Sequence, residues 1–181
     1  LLISKLSTAK YACLLSVLNS FIFDFVARQK VGGLTLNYFY FKQFPVLIPD
    51  VFHRACPWEP EKSVESWITE RVIELVYTSN DLREFAESLG CFGEPFKWES
   101  ERRHQLICQL NAAMMYLYLS SCDQWGRINT GLHTEVSTNV NVVKYIMDGF
   151  QLLRKREEKE YGYYSSKEMI VNYYIRYSDQ N

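Results

Sequence analysis

The chain has 181 residues and a mass of 21.4 kDa, with 48% apolar residues, 23% charged residues and a formal net charge of −1. These values exclude a disordered or collagen-like chain. A domain of this size hides roughly 70% of the surface its unfolded form exposes, so no disulfide or metal staple is required.

No apolar run reaches ~18 residues without a polar interruption, so no membrane span is expected. The opening residues Leu1-Leu2-Ile3-Ser4 lack an initiating Met and the basic start of a signal peptide, so a fragment is expected. Residues 8–30 then read as one helix. Tyr11, Leu14, Leu15, Leu18, Ile22, Phe25 and Val26 recur at helical spacing. Ser7 or Thr8 caps its start, and Ser16, Ser20, Asp24 and Arg28 form a polar stripe in which Asp24 pairs with Arg28. Gly32-Gly33 is expected to stop the helix, because glycine accepts the left-handed geometry of a helix C-terminus.

Residues 34–41 suit a strand by propensity, or a strand that turns into a short helical loop near Asn37. Residues 45–49, bounded by Pro45 and Pro49, read as a short β-type edge segment. Residues 50–62 contain Pro57 and Pro60 and read as a linker. From Ser63 onward the pattern is helical. Ser63 caps a helix with Trp67, Ile68, Val72, Leu75 and Val76 on one face. Asn80 caps a second, with Leu82, Phe85, Ala86 and Leu89 inward and Gly90 as its stop. A long helix is expected over 99–119, a loop over 120–138, a helical run over 140–160 broken near Gly149, and a helix or strand over 166–177. The expectation is a mainly α fold with a small β component near 34–48.

Charge is uneven. Residues 1–57 hold six basic residues (Lys5, Lys10, Arg28, Lys30, Lys42, Arg54) and two acidic ones (Asp24, Asp50), a net of +4. Residues 58–181 hold 14 basic and 19 acidic residues, a net of −5. A basic segment joined to an acidic one is the pattern of a nucleic-acid contact backed by a solvated scaffold. The run from Arg154 to Glu160 mixes signs at i, i+4 spacing and reads as a solvated helix face.

The usual chemical signatures are missing from the sequence. There is no G-x-x-x-x-G-K-[ST] loop and no G-x-G-x-x-G. The five cysteines (13, 56, 91, 108 and 122) include no C-x-x-C pair, and His53 with Cys56 has no second pair to complete a zinc site. They read as free thiols in a reducing cytoplasm.

Two ordered blocks carry a family likeness. The first is Leu18-Asn19-Ser20, Asp24, Arg28-Gln29-Lys30, Gly32-Gly33, Leu36-Asn37-Tyr38-Phe39, Gln43 and Pro45. It resembles the closing part of the target-recognition region in type IIG restriction–modification proteins and related phage-defence methyltransferases. The second runs through Pro57-Trp58, Trp67, Arg71-Val72-Ile73-Glu74-Leu75, Tyr77-Thr78, Asp81-Leu82 and Phe85-Ala86. It continues through Pro95-Phe96-Lys97-Trp98, Glu101-Arg102-Arg103, Leu110-Asn111-Ala112 and Glu157-Glu158-Lys159-Glu160-Tyr161-Gly162. It is similar to the helical C-terminal region of the same proteins. This chain departs where the family has Leu-Asp-Ala (here Leu110-Asn111-Ala112), a Tyr-Gly pair (here Tyr118-Leu119) and a Thr near Tyr163.

The resemblance implies residues 1–50 as the end of a target-recognition domain, 51–62 as a linker and 63–181 as a helical C-terminal domain. It implies double-stranded DNA as partner, together with an upstream catalytic domain of the parent chain. That parent would be a site-specific adenine DNA methyltransferase using S-adenosylmethionine, with or without endonuclease activity. The Gly-rich cofactor loop and Asn-Pro-Pro-Tyr-type pocket of the family do not occur here, so no catalytic residue, metal or cofactor is assigned to this chain. On this reading Arg28, Lys30 and Lys42 would meet phosphates. Asn37, Gln43 or Arg28 would reach base edges, with turn capping as the competing role for Asn37 and Gln43. Tyr38 and Phe39 are expected in the core, with a role as stacking platforms as the alternative. The other readings are a helical module docking a partner subunit or catalytic domain, and a hydrolase whose site no motif marks.

Overall fold

The structure, a computed structural model, describes residues 6–33, 35–120 and 139–179. The chain is mainly α-helical with one small two-stranded β element. The loop expected over 120–138, with Cys122, lies outside the described residues apart from Ser120, the last residue of a helix.

The single helix expected over 8–30 is two helices, α1 (Thr8–Leu18) and α2 (Phe21–Lys30), bent by 60°. Asn19 and Ser20 cause the break, because their short polar side chains compete for backbone groups. Asn19 Nδ2 donates to the Leu15 carbonyl at 2.8 Å. Ser20 Oγ donates to the Val17 carbonyl at 2.7 Å and accepts from the Phe23 amide at 3.3 Å, so it caps α2. No single described helix is long and apolar enough to cross a membrane. The glycine stop is also corrected. Val31, in an extended conformation, closes α2, and among the described residues only Gly90 and Gly162 have positive φ, 83° and 82°.

The short helix α3 (Tyr38–Phe41) follows Asn37, in line with the helical alternative for this stretch. Residues 45–49 form no strand; a 3₁₀ turn (Pro49–Val51) follows. The β element lies instead at β1 (Ala55–Cys56) and β2 (Glu59–Ser63), an antiparallel hairpin within the segment expected as a linker. Burial explains its order. Phe52, Cys56 and Trp58 sit in the main core, which also holds Ala12, Phe23 and Phe44 from before the hairpin and Trp67 and Tyr177 from after it. Trp58 stacks on Tyr177 with ring centroids 4.3 Å apart and meets Trp67 edge-on at 5.1 Å.

The expected start of α4 (Val64–Val76) is observed, with Ser63 Oγ accepting from the Ser66 amide. A 3₁₀ turn (Asn80–Leu82) leads into α5 (Arg83–Ser88); Asn80 there accepts from Arg83 rather than capping the helix. Helix α6 (Ser100–Ser120) is central, and α9 (Ser165–Ser178) makes its most extensive contact, along α6. Arg102 and Arg103 reach from the head of α6 to α4. Arg102 binds both carboxylate oxygens of Glu74 at 2.7 and 2.8 Å and holds that carboxyl below its ordinary pKa. Arg103 donates to the Leu75 carbonyl and lies over Trp98.

The expected break at Gly149 separates α7 (Asn139–Asp148) from α8 (Gln151–Tyr161). A Cβ at Gly149 would stand 3.1 Å from the Ile146 carbonyl oxygen and 3.3 Å from the Phe25 ring, so glycine permits this turn to rest on α2. The solvated face of α8 has one exception. Glu157 is buried, and its carboxylate accepts from the Ser166 amide at 2.8 Å and the Ser166 hydroxyl at 2.5 Å. It caps α9 from another helix, satisfying an amide that has no partner within its own helix.

The corner between α1 and α2 is held the same way. The Phe21 amide donates to Asn111 Oδ1 of α6 at 2.7 Å, and Asn111 Nδ2 donates to the Ile107 carbonyl. Replacing Asn111 with Ala strands a part-buried amide and is expected to destabilise the fold by about 1–3 kcal/mol. Asn111→Asp keeps an acceptor at a helix N-terminus and is expected to cost less. Urea unfolding followed by circular dichroism measures both. Equal stability of Asn111→Ala and the parent would show that the corner does not depend on this bond.

Candidate nucleic-acid interface

Residues 28–48 fold back on the end of α2. Phe44 anchors the return. It is buried and meets Phe23 of α2 edge-on at 5.4 Å and Phe41 at 6.1 Å. Tyr118 of α6 donates to the Pro45 carbonyl at 2.8 Å. With residues 40, 41 and 44 turned inward, helical phase turns 38, 39 and 42 outward.

All five sequence-predicted contact residues are exposed. Lys30 Nζ donates to the Gln43 carbonyl at 3.0 Å, which joins the last turn of α2 to the end of α3. Asn37, Lys42 and Gln43 share that one turn. Asn37 Oδ1 accepts from the Tyr40 amide at 3.1 Å, and Gln43 Nε2 donates to the Phe39 carbonyl at 3.3 Å. One half of each amide is therefore used within the chain, whereas bidentate recognition of adenine needs both halves. Arg28 is committed more fully. Its Nε and Nη2 bond both oxygens of Asp24 at 3.0 and 2.8 Å, and its guanidinium lies 5.1 Å from the Phe150 ring centroid. The unbalanced charge is on Lys30 and Lys42.

Tyr38 and Phe39 are not in the core. They are 69% and 70% exposed, with Leu36, Val46 and Ile48 also exposed around them. A four-residue helix has one inward side, and Tyr40 and Phe41 occupy it. The Lys42 ammonium sits 4.4 Å from the Tyr38 ring centroid. The signal available in the sequence was Asn37 as an N-cap, which sets the helical phase of the four aromatics after it.

Other clusters offer less chemistry. His104 Nε2 lies 3.2 Å from Ser165 Oγ and 3.9 Å from Cys108 Sγ. Burial, reinforced by the Glu157 carboxylate, pushes the Cys108 thiol up to about 12. Burial likewise pushes Cys13 up to about 12 and Cys56 to about 11. None of the three is a thiolate near neutral pH. The Glu157 oxygens bond Ser166, not His104, so that carboxylate does not orient the Ser165–His104 pair. A cavity of about 550 Å³ between α7, α8 and α9 is lined by Lys144, Arg154 and Lys167 against Asp148, Glu158 and Glu168, charges that cancel. Among the described residues, no group of three or more His, Cys, Asp or Glu side chains converges as metal ligands would.

No protein-family model, curated protein or solved structure matches the chain.

The thiol assignments are directly checkable. Iodoacetamide at neutral pH is expected to modify half-exposed Cys91 first among the four described cysteines and to spare Cys13, Cys56 and Cys108 until the protein unfolds. Peptide mass mapping reads the order. Rapid native-state labelling of Cys108 would reopen the His104–Cys108 pair as chemistry.

Proposed function

We propose that this chain is the DNA-recognition and scaffold part of a bacterial restriction–modification or phage-defence adenine-specific DNA methyltransferase, acting on double-stranded DNA in the cytoplasm. One observation carries the reading. The Lys30–Gln43 bond joins Lys30 to the turn that carries Asn37, Lys42 and Gln43, on one exposed, net-positive surface. Those residues are separated in sequence by Gly32-Gly33 and are brought back together by that bond and by Phe44 packing against Phe23.

In this reading Lys30 and Lys42 neutralise backbone phosphates and release counterions. Asn37 and Gln43 approach base edges with the amide halves left outward, the Asn37 Nδ2 and the Gln43 Oε1. Phosphate contacts fix register, and base contacts supply discrimination. The helical part from residue 63 onward acts as scaffold and docks the upstream catalytic domain. Its exposed Phe92 and Trp98 support that second role, and they equally favour the reading of an interaction module for a partner subunit. S-adenosylmethionine would be held by the parent's catalytic domain, which would take the flipped adenine.

Fluorescence anisotropy with a mixed-sequence duplex over a range of salt concentrations tests the proposal. Changing Lys30 and Lys42 together to Ala is expected to lower the magnitude of the log–log salt slope by about 2, at about 0.9 per phosphate. Arg28→Ala is expected to change it less, because Asp24 already offsets that charge. Replacing Arg154, Lys155 and Arg156 with Ala is also expected to matter less. A larger loss from that triple variant would move the DNA surface to α8. With labelled S-adenosylmethionine, the chain alone is expected to leave DNA unlabelled; labelling would refute the fragment reading.

A further inference from the structure

We infer that Phe39, flanked by Tyr38, is a base-stacking wedge that engages an unstacked base of the bound DNA. The inference rests on the DNA reading above and adds an aromatic contact to its cationic ones.

Three features of the segment point this way. First, Phe39 is tied to its own turn yet left open. Its carbonyl accepts from Gln43, its ring meets Tyr40 edge-on at 5.8 Å, and 70% of the residue still faces solvent. An aromatic ring in water forgoes a large burial gain. Other helices also carry exposed apolar side chains, as Leu152 on α8 and Tyr145 on α7 do, and what sets Phe39 apart is the adjoining Tyr38 with Lys42 against its ring. Second, the support is built from the inward side. Phe41 and Phe44 lock the turn onto Phe23, and the Asn37 cap and the Lys30–Gln43 bond close both ends of it. A wedge must be fixed in this manner if contact is to displace the stack rather than the side chain. Third, the surrounding charge selects the occupant. Lys42 lies against the Tyr38 ring and Lys30 is tied to the same turn. The Asp24 carboxylate of α2 is occupied by Arg28. Aromatic rings interleaved with unbalanced cations match a polyanion whose units each present a π-face. Apolar wedges between base steps partly unstack them, which eases extrusion of a target base.

The test uses the full chain and two labelled short duplexes of the same mixed sequence, one fully paired and one with a central mismatch bubble. The parent is expected to bind the bubble duplex about tenfold more tightly, the size of a single base–aromatic stacking contact. Phe39→Ala and Phe39→Leu are expected to erase that preference, and Phe39→Trp to keep it. All three are expected to retain the parent's salt slope, because the cations remain. Unchanged thermal melting of the variants confirms that an exposed side chain, not the fold, was altered. If Phe39→Leu held the bubble duplex as tightly as the parent, stacking by the aromatic face would not be the source of the preference. The inference would then fail while the DNA reading stood. If the parent bound neither duplex with a salt-dependent affinity, both would fail.

Discussion

The Phe21 amide has no partner within its own helix, and Asn111 of α6 supplies one at 2.7 Å. That bond fixes the α1–α2 corner on the central helix, and the corner sets where α2 ends. Lys30 stands in the last turn of α2, so its reach to the Gln43 carbonyl depends on the corner. The return of the chain through α3 depends in turn on Lys30 and on Phe44 packing against Phe23.

The same device recurs at α9, where Glu157 of α8 bonds the Ser166 amide and hydroxyl. Two helix starts are thus completed by side chains from other helices. Each such cap ties tertiary contact to secondary structure, because the donor is left unpaired if the two helices part. Between them the hairpin at 55–63 contributes Trp58, which packs against Trp67, Tyr116 and Tyr177 and so closes the core around α4, α6 and α9. The Arg102–Glu74 ion pair at the surface and the part-buried Arg71–Gln109 bond hold α4 to α6.

Helices with a clear apolar stripe and a serine or glycine at an end, such as α4 and α5, were legible in the sequence. So were the break at Gly149 and the asymmetry of charge. What was not legible depended on partners distant in the chain. The split at Asn19-Ser20 has a local cause, but the Phe21 amide it exposes is satisfied by Asn111, some ninety residues away. The hairpin looked like a linker because Pro57 and Pro60 mask two short strands whose order comes from burying Trp58. Glu157 is one of seven charged residues in a row, and nothing local distinguishes the buried one. At the candidate site, the five polar residues were visible as types, and the bond that joins two of them was not. Tyr38 and Phe39 were assigned inward on composition. Once Asn37 is recognised as an N-cap, helical phase places them outward.

The central claim is that the exposed turn at 28–46, organised by Lys30 and Gln43, is where DNA meets this chain. Hydrogen–deuterium exchange with and without a mixed-sequence duplex addresses it most directly. Peptides covering residues 28–46 are expected to exchange more slowly in the presence of DNA, while those of α8 stay unchanged. Slowing confined to α4 through α9, or no slowing at a DNA concentration that saturates binding, would contradict the claim.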